Sequence, residues 1–137
     1  MESIDKGVLR AGTPTFVSST SGSAPFGTFF EDDGETGYFY AMDQAGEEDK
    51  ILDAVLIYNV ASVADRDEPS QIAIIWSTDG LKSALLINDY PHAVFDFQVR
   101  RGYCRSNFPN FPDDPARAWH TASHEWRDEV TDFLARS

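Results

Sequence analysis

An apolar-polar alternation that meets an Asp-Gly turn and returns as a second apolar run is built to pair with itself. Gln71 to Trp76 sets Ile72, Ile74 and Trp76 on one face of an extended chain. Ser77-Thr-Asp-Gly80 provides the turn, and Leu81 to Asn88 returns with Leu85, Leu86 and Ile87. Both arms are apolar on both faces near their middles, which predicts a hairpin in the interior of a sheet. A second hairpin is written between Phe26 and Met42. Two aromatic runs, Phe26-Gly-Thr-Phe-Phe30 and Thr36-Gly-Tyr-Phe-Tyr-Ala-Met42, flank Glu31-Asp-Asp-Gly-Glu35, and Gly34 supplies the positive φ of a tight turn. Tyr38 and Tyr40 fall on one face of that strand and Phe39 on the other.

The remaining segments extend this pattern. Thr13 to Ser18 reads as a strand, and Ser18 to Pro25 as a small-residue loop. Ile51 to Val60 suits helix or strand by periodicity, and Val55, Ile57, Tyr58 and Val60 tip it to strand. Pro91 is expected to break the chain before a further strand, Ala93 to Val99. Residues 1–12 read as a poorly ordered lead-in with a short strand at Val8-Leu9. The tandem Asn107-Phe-Pro-Asn-Phe-Pro112 forbids helix and favours extended backbone, a strap along a sheet edge. After it, Asp114 as N-cap and Pro115 at the first position predict a helix. Trp119, Ala122, Trp126, Val130 and Phe133 give that helix an apolar stripe. The expected fold is α+β: one domain, an antiparallel meander, open or curled, with a single amphipathic C-terminal helix on one face.

Charge sets the chemistry of the surface. The 137 residues carry 11 Lys and Arg against 23 Asp and Glu, a net charge of -12. Such a field repels a phosphate backbone and an anionic lipid surface, so neither nucleic acid nor membrane is an expected partner. A basic protein would be attracted and steered in. Cys104 is the only cysteine and forms no internal disulfide. The first residues, Met1 to Lys6, mix charges and lead into no apolar run, unlike a secretory signal. Cytoplasm is the expected compartment.

Candidate chemistry concentrates in Tyr90–Pro109, where His92, Asp96, Tyr103, Cys104, Arg105 and Asn107 are interleaved with apolar residues. These are the side-chain types of a thiol nucleophile with an imidazole and an anion clamp, but Cys104 lies in no nucleophile-elbow pattern. A lone cysteine most often packs as a small hydrophobe. His120 and His124 would share one side of the expected helix without the further ligands that zinc needs, and a solvated face is expected for them. Acidic turns at Glu31–Glu35 and Asp65–Glu68 follow no calcium-loop pattern. No metal or cofactor is expected. Asp32, Asp33, Glu35, Asp65, Asp67 and Glu68 are the expected partner-binding carboxylates.

The blocks Gly37-Tyr-Phe-Tyr-Ala41, Ile57-Tyr-Asn-Val60, Trp76-Ser-Thr-Asp-Gly80, Leu85-Leu-Ile-Asn88, Tyr90-Pro-His-Ala-Val-Phe-Asp-Phe97 and Gly102-Tyr-Cys-Arg-Ser-Asn-Phe-Pro109 resemble an uncharacterised bacterial family of small single-domain proteins, a domain of unknown function. The likeness covers about residues 26–130. It implies a bacterial cytosolic protein and transfers no activity, cofactor or catalytic residue. Size, acidity and the lack of a catalytic pattern favour a non-catalytic acidic protein-binding module, immunity-type or regulatory. The alternative is a small-ligand-binding protein or enzyme using Tyr90–Pro109. The two differ in one observable: whether that segment's side chains converge in a single concave site or are dispersed and buried.

Overall fold

The computed structural model describes residues 4–64, 67–112 and 119–136. Nine strands occupy about half of them: β1 Ile4–Leu9, β2 Thr15–Thr20, β3 Phe26–Asp32, β4 Thr36–Asp43, β5 Lys50–Asn59, β6 Ser70–Trp76, β7 Lys82–Ile87, β8 Tyr90–Asp96 and β9 Arg101–Cys104. They form two antiparallel sheets, one ordered β1-β6-β7-β8-β9 and the other β2-β3-β4-β5, and neither closes into a barrel. A single 3-10 turn occupies Val60–Ser62, and a nine-residue 3-10 helix, Asp128–Arg136, carries Val130 and Phe133 of the expected C-terminal helix. The expected α+β arrangement is therefore corrected to a mainly β fold in which the meander is divided between two sheets.

The division follows from alternation. Phe30, Phe39, Ala41 and Val55 point from the four-stranded sheet toward Ile72, Ile74, Trp76, Leu85, Ala93 and Phe95 of the five-stranded one, and all belong to one buried cluster. Phe39 stacks on Phe95 with centroids 5.1 Å apart, and Phe26 stacks on Phe97 at 4.5 Å. Polar contacts cross the same layer and are satisfied there. Thr28 and Ser83 share a hydrogen bond of 2.9 Å, and Trp76 Nε1 donates to Ser19 Oγ at 2.8 Å. A buried hydroxyl or indole N–H left without a partner would cost about 1–3 kcal/mol.

Turn chemistry agrees with the sequence at both hairpins. Gly34 has φ +100°, and the Asp33 carboxylate accepts the N–H groups of Glu35 and Thr36, each at 2.9 Å. Gly80 has φ +73°, and a Cβ there would collide with Ser21 Oγ, whose hydroxyl donates to the Gly80 carbonyl. Residues 51–59 are strand, as their β-branched content predicted. Pro91, expected to break the chain, instead lies inside β8 opposite Leu86, next to a register shift on β7. The irregularity absorbs the missing N–H of proline. Asn88 and Asp89, both at positive φ, turn the chain between β7 and β8. Residues 4–9, expected in the lead-in, pair along their whole length with β6.

The C-terminal segment departs furthest from expectation. Asp114 and Pro115 lie outside the described residues. Where a helix was expected across Trp119 to Trp126, the chain runs extended beside β9, with parallel bridges Arg101↔His120 and Cys104↔Glu125. Its backbone satisfies an otherwise open sheet edge: His120 N donates to the Arg100 carbonyl and Cys104 N to the His124 carbonyl, both at 2.9 Å. The apolar stripe is split accordingly. Trp119 enters the layer between the sheets, edge-on to Phe97 at 5.4 Å. Trp126, Val130, Phe133 and Leu134 cover Ala84, Leu86 and Val94 on the opposite face of the five-stranded sheet.

Candidate functional site

The six side chains of Tyr90–Pro109 do not converge. His92 on β8 is half-buried with the edge of Tyr90 against it, and burial, followed by the nearby Arg105 charge, pushes its pKa below the usual imidazole value. It lines a cavity of about 220 Å³ with Tyr58, Ile57, Glu68 and Ile87. Asp96 lies elsewhere, on a groove with Lys82, Glu129 and Asp132, and its carboxylate accepts the N–H groups of Gln98 and Val99 in the turn after β8. Tyr103 and Cys104 are neighbours on β9 and so face opposite sides of the sheet. The Cys104 thiol is 1% exposed, donates to the Leu56 carbonyl at 3.2 Å, and has its pKa raised by burial. It is the opposite of an activated nucleophile, which needs a lowered pKa and access.

Arg105 is held rather than free. Its Nε donates to the Pro91 carbonyl at 2.7 Å, and the guanidinium lies between the Tyr90 and Trp126 rings, 4.3 and 4.1 Å from their centroids. This sandwich fastens the C-terminal segment to β8. Asn107, at φ +49°, turns its Oδ1 to accept the N–H of His124 at 2.9 Å.

That contact belongs to a network for which the sequence offers no motif. His124, expected on a solvated face beside His120, is fully buried, whereas His120 is exposed. His124 Nε2 lies 2.7 Å from Asp53 Oδ2, and its Nδ1 lies 3.1 Å from Asn110 Oδ1. Asn110 is oriented by its own bonds, since its Nδ2 donates to the Asn107 carbonyl at 2.8 Å. The pair ties β5 to the C-terminal segment across the Asn107–Asn110 turn. Asp53 reaches this position because β5 alternates, putting Asp53 and Val55 inward. A histidine and a carboxylate seventy-one residues apart have no sequence signal linking them. Their burial gives a substrate no approach, so the arrangement is a structural clasp. Among the described residues no group of three or more His, Cys, Asp or Glu side chains is placed to hold a metal.

The expected partner-binding carboxylates divide. Asp32 is a correction, for it is 1% exposed and serves the fold. Its oxygens accept the N–H groups of Gly12 and Gly34, both at 2.8 Å, and the Tyr58 hydroxyl at 2.6 Å. That bond and burial drive the Tyr58 phenol upward, with burial the larger cause. Asp33, Glu35, Asp67 and Glu68 are exposed, and Asp65 lies outside the described residues. Backbone donors lower the pKa of Asp33, those of Thr36 first and Glu35 second. The described parts of the two acidic turns lie toward one end of the molecule, since Leu9 pairs with Ser70 near Glu68 and Gly12 donates to Asp32. The Glu35 carbonyl accepts the Val60 N–H at 2.9 Å, and Glu68 shares the His92 cavity with Tyr58 and Val63. Arg10, which follows β1, stands at the same end.

A family described as an uncharacterized protein conserved in bacteria (DUF2251) matches residues 9–135. The chain belongs to that family. The DUF2251 match takes in every residue of the clasp, of the cavity at His92 and of both acidic turns. A protein of Haemophilus influenzae, itself named only as an uncharacterized protein, is 45% identical over 106 residues, which are 77% of this chain and 65% of that relative. The chain thus spans slightly less than two thirds of the relative's length. No solved structure matches. Among the described residues, no helix is long and apolar enough to cross a membrane.

Proposed function

We propose that this DUF2251 chain is a non-catalytic, acidic protein-binding module that works in the bacterial cytoplasm and captures a basic protein. The observation that carries this is that the Asp33–Glu35 and Asp67–Glu68 turns lie toward the same end of the fold, with all four residues exposed. Carboxylates gathered at one end focus a field that the same charges scattered would not. The dispersal of His92, Asp96, Tyr103, Cys104, Arg105 and Asn107 supports the same choice, because an enzyme needs them within reach of one reacting atom. A free, buried Cys104 is compatible with a reducing compartment.

The test begins with a partner co-purified from the native bacterium. Its association should slow steeply as salt is raised, since screening shortens the Debye length to about 8 Å at physiological ionic strength. Reversing Glu35, Asp67 and Glu68 to Lys together should slow association by about tenfold or more in a protein that still folds, since none of the three carboxylates is buried. A partner indifferent to both salt and reversals, but lost in Cys104→Ser or His92→Ala, would replace this proposal with the alternative site at Tyr90–Pro109.

A further inference from the structure

The outer face of the four-stranded sheet is a second surface with its own chemistry. Alternation sends Thr28, Phe30 and Asp32 of β3 inward and leaves Phe29 and Glu31 on the outside. Phe16 of β2 and Tyr38 and Tyr40 of β4 share that outer side. The four rings form one row: Phe16 to Phe29 at 5.2 Å, Phe29 stacked on Tyr40 at 4.4 Å, and Tyr40 on Tyr38 at 5.9 Å. Phe16 is 60% exposed. Glu31 stands directly across from Phe16 on one side and from Tyr38 on the other, so an exposed carboxylate sits among the rings. Glu31 and Asp33 also reach Tyr40 electrostatically, adding to the burial that raises its pKa. None of the chain's 11 Lys and Arg lies on β2, β3 or β4.

Aromatic faces carry partial negative charge and take a cation above the ring, most readily a guanidinium, which stacks as well as pairs. A carboxylate among such rings offers the fork that guanidinium matches. A second copy of this chain would bring the same rings and another Glu31, with like charges opposed, so it does not complement the face. We propose that the outer face of β2–β3–β4 is the docking surface for an arginine-rich segment of the partner protein, with guanidinium groups stacked on Phe16, Phe29, Tyr38 and Tyr40 and paired with Glu31. This rests on the proposed acidic binding function and locates its contact. Asp33, two residues beyond Glu31, makes the face continuous with the acidic end, which steers the segment toward it.

A labelled oligoarginine peptide is the probe, with oligolysine of equal length as comparison, both read by fluorescence anisotropy. Oligoarginine should bind about tenfold more tightly, because an ammonium gains less from stacking and cannot fork onto Glu31. Glu31→Gln and the pair Phe16→Ser, Tyr38→Ser should each weaken oligoarginine about tenfold, whereas Tyr40→Phe keeps the ring and the affinity. Circular dichroism melts confirm that each variant folds, and Phe16, already exposed, is safe to change. Two further outcomes separate the claims. If the Glu31 and ring variants bind as wild type while neutralising Asp33, Glu35, Asp67 and Glu68 abolishes binding, the acidic module stands and the aromatic face is rejected. If wild type binds neither peptide at low salt, both fall. Sedimentation showing self-association that Phe16→Ser abolishes would make the face a contact between copies and overturn the proposal.

Discussion

Asp53 and His124 form a buried polar pair between β5 and the C-terminal segment, and its energetics are one-sided. Both are buried, with side chains 0% and 1% exposed for His124 and Asp53, and they meet at 2.7 Å. Taking two such groups out of water costs nearly what their attraction returns, so the pair adds little net stability over a well-packed apolar one. Removing one partner is different, since it leaves the other buried and unsatisfied. Asp53→Ala, which leaves a His124 ring nitrogen without its partner, should destabilise the protein by about 1–3 kcal/mol, and His124→Ala, which strands a buried carboxyl group, by at least as much. The double replacement Asp53→Leu, His124→Leu should cost clearly less than the sum of the two single changes. Urea melts of the four proteins give the coupling directly, and additive losses would show that the two side chains act independently. Asp32 follows the same logic at a turn, where one carboxylate satisfies Gly12, Gly34 and Tyr58 together.

At the scale of elements, the hairpins were legible because their information is local. Gly34 and Gly80 stand in turns that demand positive φ, and the flanking runs alternate with period two. The C-terminal segment misled because Trp119, Ala122, Trp126, Val130 and Phe133 recur at helical spacing, while Trp119 serves one face of the sheet, Trp126, Val130 and Phe133 serve the other, and Ala122 is exposed. Extended backbone there gains hydrogen bonds to the β9 edge and to the side chains of Asn107 and Asn110, which a helix would forfeit. The two tryptophans therefore predict unequal costs. Trp119→Ala empties a site inside the layer between the sheets and should cost about 3–5 kcal/mol. Trp126→Ala uncovers the outer face and removes one ring from Arg105, at about 1–3 kcal/mol. Equal urea midpoints for the two variants would contradict the split of the stripe.

For the whole molecule, a net charge of -12 on 137 residues opposes compaction. Self-repulsion acts over about 30 Å at 0.01 M salt and about 8 Å at 0.15 M. The melting temperature should accordingly rise by several degrees as sodium chloride is added across that range. A melting temperature that stays flat or falls would mean that favourable ion pairs outweigh the repulsion. The same excess charge is expected to hasten capture of a basic partner, so stability and association respond to salt in opposite directions, a contrast measurable on one preparation.

The sequence alone determined the strands from Phe26 to Ile87, the turns of the two hairpins, which side chains of β4 and β6 share a face, the acidity of the chain and the likeness to a bacterial family. Each of these is a matter of alternation, turn residues or composition, which act within a few residues or over the chain as a sum. Tertiary structure alone decided that the strands part into two sheets, that Pro91 sits in β8 beside an irregularity, that β1 pairs with β6, and that Asp32 is buried while Asp33 is exposed. It also joined Asp53 to His124, gathered Phe16, Phe29, Tyr38 and Tyr40 around Glu31, and sent Trp119 and Trp126 to opposite faces. The reason is common to all of them: each is a contact between segments far apart in the chain, chosen by which backbone edges and apolar faces were left unsatisfied once the local elements had formed.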